Sequence, residues 1–168
     1  MLTALLAQIR IPLPFTPVPL TGQTFSVLLS GAILGWQRGF ASQLLYLIAG
    51  AAGMPVFAGG AAGLPYLLGP SGGYLLSFPV AAGVLGRLVE LGASRRSWKL
   101  ALALLGCNLL ILGGGALWLS ALFKVTLPQA WRVGVNPFLV GDVAKLILVA
   151  VSLPKILNRK GRDETAVQ

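Results

Sequence analysis

Asp142 and Lys145 stand three positions apart inside an apolar run of the sequence. On a helix that spacing puts both on one face, about 4.5 Å apart along the axis. A charge at the centre of a bilayer costs about 2.5–3.5 kcal/mol on insertion scales, so ionisable residues within such a run mark a functional site by default. Counting inward from Asn136, Asp142 is expected about 9 Å deep. The competing reading is a structural ion pair that faces the bundle and neutralises itself.

Arg87 and Glu90 repeat the same spacing, but late in their run, where a long basic side chain can reach the interface, so a structural role is the expectation there. Gln23 supplies two donors and an acceptor beside a proline-rich stretch, and Tyr74 supplies an aromatic body with a hydroxyl. Thr21 and Thr24 flank Gln23, and Thr21 reads equally well as a helix cap. Gly113, Gly114 and Gly115 permit close helix approach or a kink. Trp36, Trp98, Trp118 and Trp131 fall mostly near run ends, as interfacial residues do. The chain has no histidine and one cysteine, Cys107, which disfavours zinc sites and His-dependent nucleophiles. The glycines of 69–73 lack the Gly-Lys-Ser/Thr ending of a phosphate loop and follow no strand, so ATP is not expected to bind.

The elements that position these residues follow from composition. Hydrophobic residues make up 56% of the 168, charged ones 10%, and mean hydropathy is +0.84. Soluble domains carry roughly a quarter charged residues. An all-α integral membrane protein is therefore expected: one domain over 1–168, a bundle of about six transmembrane helices with Pro/Gly-rich extracellular loops. Apolar runs place the helices at about 1–11, 21–36, 38–53, 72–92, 98–122 and 136–157, with a polar cytoplasmic tail at 158–168. Pro12, Pro14, Pro17 and Pro19 exclude regular helix over 12–20, and 53–71 reads as a loop. Stiff Pro-Gly connections on one side suggest a lid over a pocket, since irregular backbone at membrane depth must be covered by protein or line a cavity. Eleven residues rise only about 16 Å, so the first helix is either short or begins upstream of Met1.

Basic residues test the count. Arg38, then Arg95, Arg96 and Lys99, then Lys155, Arg159, Lys160 and Arg162 fall on one side of a six-helix arrangement, while the other connections hold Lys124 and Arg132. The richer side, with both termini, is expected in the cytoplasm. This distribution also argues that the net charge of +9 reflects topology, not nucleic-acid binding.

Several ordered motifs then match one family. Ala7-Gln8-Ile9-Arg10-Ile11-Pro12-Leu13, Pro17-Val18-Pro19-Leu20-Thr21-Gly22-Gln23-Thr24, Gly53-Met54-Pro55-Val56-Phe57-Ala58-Gly59-Gly60 and Leu68-Gly69-Pro70-Ser71-Gly72-Gly73-Tyr74-Leu75 resemble the BioY family. So does Asn136-Pro137-Phe138-Leu139-Val140-Gly141-Asp142-Val143-Ala144-Lys145, although Val140 stands where that family often has proline. The resemblance implies the biotin-specific S component of an energy-coupling factor (ECF) transporter in the bacterial cytoplasmic membrane. It implies biotin as the transported ligand with no cofactor, and a transmembrane coupling subunit and cytoplasmic ATPase subunits as partners. Asp142, Lys145, Tyr74, Gln23 and Gly73 become the candidate substrate-binding residues, with Asp142 accepting from the ureido N–H groups and Lys145 donating to the ureido oxygen. Thr3 and Ala7 carry the i, i+4 spacing with which that family meets its coupling subunit. The alternatives are an S component for another small vitamin, a membrane-embedded enzyme using Asp142 as acid or base, and a purely structural membrane protein.

Overall fold

The computed structural model describes residues 2–14, 16–139, 141, 142, 146, 147 and 149, with the side chains of Arg95 and Ser97 left aside. Its elements run α1 (Leu2–Ala7), β1 (Arg10–Ile11), β2 (Leu20–Thr21), α2 (Gln23–Ala51), α3 (Leu64–Leu67), α4 (Gly72–Glu90), α5 (Ser97–Phe123) and α6 (Leu127–Gly134). Beyond α6 the described residues 136–139, 141, 142, 146, 147 and 149 are again helical. α2 packs along α4, α4 along α5, and α5 against α6.

The first helix is shorter than the expected 1–11. α1 closes at Ala7, and Arg10 and Ile11 pair antiparallel with Thr21 and Leu20. Pro12 disfavours helical backbone at Ile11 and steers it to extended geometry, so the chain turns into a hairpin instead. Arg10 therefore joins the connection between the first two runs, which raises the sparse set of basic residues from two to three. Thr3 and Ala7 are buried, and Thr3 donates to Gln43 Oε1 at 3.2 Å while Gln43 Nε2 donates to Ser30 Oγ at 2.8 Å. Their small faces point into this chain, not outward as the family spacing suggested. An uncharged hydroxyl in an apolar bundle gains more from a buried amide than from lipid.

The runs expected at 21–36 and 38–53 are two halves of α2, broken at Gly35 with φ 80 and ψ 178. Glycine takes that conformation without Cβ strain, so one residue suffices for the break. Gly31 and Gly86 let the backbones of α2 and α4 touch where any side chain would collide. The runs expected at 72–92 and 98–122 appear as α4 and α5, both long and apolar enough to cross a bilayer. Leu102, Leu105, Leu109 and Leu117 on α5 point outward, the pattern suited to lipid as surrounding solvent. α6 falls in a connection where no helix was expected. Its start is set locally: Pro128 stands in the first turn and Gln129 Oε1 accepts from the Thr126 N–H at 3.0 Å.

The 53–71 connection is tied down rather than loose. Phe57 is fully buried, stacked on Tyr66 with centroids 5.2 Å apart and met edge-on by Tyr46 at 5.6 Å. The absence of a side chain at Gly50 opens the space its ring fills. Trp118 Nε1 donates to Gly69 O at 2.9 Å, so this tryptophan anchors a loop, whereas Trp36, Trp98 and Trp131 are exposed near helix ends.

Candidate ligand-binding site

Under the hairpin and the 53–71 connection lies a cavity whose make-up, apolar walls with a few converging polar groups, is that of small-molecule sites. Its walls are mainly apolar, with Leu75, Phe78, Leu112 and Phe138 among them, and its polar groups come from Thr21, Gln23, Thr24, Tyr66, Ser71, Tyr74 and Asp142. Three of the five residues singled out from sequence, Gln23, Tyr74 and Asp142, thus meet at one cavity.

Asp142 is buried at 3% exposure, and its Oδ2 accepts from Asn108 Nδ2 at 3.1 Å. Asn108 comes from the middle of α5, which places a polar donor behind the carboxylate, deep between helices. A buried carboxylate needs such partners, since leaving it unpaired would cost several kcal/mol. Lys145 lies outside the described residues.

Gln23 opens α2 and sits in a chain of hydrogen bonds. Thr21 Oγ1 donates to Gln23 Oε1 at 2.8 Å, Gln23 Nε2 donates to the Tyr46 hydroxyl at 2.7 Å, and that hydroxyl donates to Val56 O at 3.1 Å. The chain links the hairpin to the 53–71 connection across the cavity wall and fixes the amide's orientation.

Tyr74 is placed by two glycines. Gly115 leaves room for its ring against α5, and Gly134 accepts its hydroxyl proton through the main-chain carbonyl. The ring meets Phe138 edge-on with centroids 6.0 Å apart, so it presents an aromatic surface to the cavity while its hydroxyl is held by the backbone. Within the glycine triplet, Gly114 faces Ser77, Gly115 faces Tyr74, and Gly113 faces open space. Close approach is thus what the triplet permits, and α5 runs through it as one helix. Gly73 faces away from the cavity: a side chain there would meet the Trp118 Cβ and Gly114 O. It allows α4 and α5 to touch.

Arg87 and Glu90 form an exposed i, i+3 pair at 3.5 Å. Glu90 Oε1 also accepts from the Trp36 N–H at 3.0 Å, directly after the Gly35 break, and so caps the second half of α2. Besides the apolar walls Phe78, Leu112 and Phe138, the sequence did not single out Asn108, the polar partner of Asp142. The signal for Asn108 was a lone amide within the otherwise apolar Leu104–Leu112 stretch.

A profile of the BioY family matches residues 1–162. The chain is 42% identical over 144 residues to the probable biotin transporter BioY of Pyrococcus horikoshii, covering 86% of this chain and 82% of that one. It is 36% identical over 149 residues to the biotin transporter BioY of Thermotoga maritima, covering 87% and 86%. Its fold superposes on the crystal structure of the S-component for biotin from an ECF-type ABC transporter with a TM-score of 0.85, at 28% identity, covering 94% of this chain and 85% of that one. Since the family profile runs nearly end to end and the membrane fold is shared, this chain belongs to the BioY family.

Proposed function

We propose that this protein captures biotin in the cavity beneath the hairpin and delivers it for import as the substrate-binding component of an ECF-type transporter. The observation that carries the reading is the buried Asp142 carboxylate, backed by Asn108, at an otherwise mostly apolar cavity. Biotin matches that division of chemistry: an apolar bicyclic body, two ureido N–H donors with a carbonyl acceptor, and a chain ending in a carboxylate. Asp142 accepts from the ureido N–H groups as charge-assisted hydrogen bonds in a site shielded from water. The i, i+3 spacing gives Lys145 the complementary task of donating to the ureido oxygen. Phe78, Leu112, Phe138 and the Tyr74 ring supply the apolar surface for the body of the ligand.

Import by this route requires other chains, because the sequence carries no ATP-binding motif. A transmembrane coupling subunit and cytoplasmic ATPase subunits supply the power, and no cofactor is needed to bind and release an unaltered ligand. The chain crosses the cytoplasmic membrane several times with both termini cytoplasmic. Supporting this are the eight basic residues on the expected cytoplasmic connections and tail, against three once Arg10 is placed in the hairpin.

The test is calorimetric titration of biotin into the purified protein in detergent, with thiamine and riboflavin as controls. Saturable one-site binding of biotin alone is expected. A folded protein that ignores biotin and takes up another vitamin would contradict the assignment.

A further inference from the structure

A second cleft, at the surface, shares three walls with the ligand cavity. Pro19, Tyr66 and Ser71 border both, and the outer cleft is completed by Arg10 together with Pro17, Pro65, Gly69 and Pro70. The ligand cavity thus adjoins an outer cleft whose cationic side chain, among the described residues, is that of Arg10.

That cation is held in place by local structure. Arg10 pairs with Thr21 in the two-stranded ladder, and Thr21 lines the ligand cavity. One strand pair therefore fixes a wall residue of the cavity and the arginine of the outer cleft. The guanidinium lies against Gly59, where any side chain would collide with it, and Gly59 has φ +70, a conformation that disfavours other residues. Among the described residues the Arg10 side chain makes no hydrogen bond or ion pair, so its five donors are available.

We infer that Arg10 receives the carboxylate of the bound ligand in the outer cleft. The inference rests on the biotin reading above and extends it to the far end of the molecule. With the ureido ring at Asp142, the carboxylate at the end of the flexible chain must leave the apolar section of the cavity. An anion emerging past Tyr66 and Ser71 meets the guanidinium, whose planar fork matches a carboxylate. The Ser71 hydroxyl, on the shared wall, is a further donor along that path. The position also favours the ligand acid over uncharged analogues and gives an incoming anion a cation to meet first.

The experiment measures dissociation constants of biotin and of biotin methyl ester, which lacks the anionic end, for wild-type protein, Arg10→Gln and Arg10→Lys. Arg10→Gln is expected to weaken biotin by about tenfold, the lower end for a charge-assisted contact because the site is open to solvent. The ester is expected to bind wild type and Arg10→Gln within about twofold of each other, and Arg10→Lys to retain part of the preference for the acid. Unchanged biotin affinity in Arg10→Gln, or equal losses for acid and ester, would overturn the inference while leaving the biotin reading intact. Failure of wild type to bind either ligand would overturn both.

Discussion

Asp142 and Glu90 start from the same sequence pattern, a carboxylate three residues from a basic side chain, and end in opposite environments. Glu90 is 39% exposed by its side chain, pairs with Arg87 at 3.5 Å and caps the half-helix that begins at Trp36. Asp142 is 3% exposed, accepts from Asn108 and borders a cavity. Where water reaches the pair, the ion pair contributes little and the carboxylate serves the backbone. Where water is excluded, the carboxylate needs fixed donors, and a ligand that brings more of them gains affinity. Spacing alone does not separate the two cases; depth in the run does.

The sharpest way to break this contrast is to remove each charge. Asp142→Asn is expected to weaken biotin by about 10- to 100-fold, the equivalent of about 1.5–3 kcal/mol for a charge-assisted contact, in a protein that still folds. Calorimetry with circular dichroism as the folding control measures both.

A smaller and more local effect is expected at the glycine triplet. Gly115→Ala forces the Tyr74 ring off its place on the cavity wall, at a cost of about 1–3 kcal/mol, seen as lower thermal stability and weaker biotin binding. Gly113→Ala meets nothing within contact range and is expected to leave biotin binding unchanged and stability the same or higher by up to about 1 kcal/mol. Equal effects of the two substitutions would show that helix propensity, not the ring, governs the triplet.

The smallest effect on the ligand is expected at Glu90. Glu90→Ala removes the cap on Trp36 and is expected to cost about 1 kcal/mol of stability, with biotin affinity unchanged within about twofold. Thermal unfolding and a biotin titration on the same preparation check it. A large loss of affinity there would mean that the Gly35 break is coupled to the cavity.

What was legible in the sequence follows the same physics. α4 and α5 could be bounded within two residues because a long apolar run with few interruptions has one stable form in a bilayer. The irregular 12–20 and 53–71 connections were legible from proline and glycine. Gly35 was not read as the break, since the charged Arg38 and polar Gln37 beside it drew the boundary further along, while the backbone needed only one residue with positive φ. α6 was missed because its apolar content is low, although Thr126, Pro128 and Gln129 carried its start signal. At the site, Asp142 and Gln23 stood out as polar groups beside apolar runs. Asn108 did not, because an uncharged amide raises less alarm than a charge, and its partner lies 34 positions away. Gly73 has no side chain to aim, so only the packing of Trp118 against it reveals which neighbour it serves.

Whether Asp142 accepts hydrogen bonds from the ureido group of biotin is decided by a cycle of two proteins and two ligands. Biotin and biotin methylated on its ureido nitrogens would be titrated into wild type and Asp142→Asn. Methylation is expected to weaken binding strongly in wild type and far less in Asp142→Asn, because the lost donor and the lost acceptor belong to one contact. The same loss on methylation in both proteins would contradict the account and place the ureido group elsewhere.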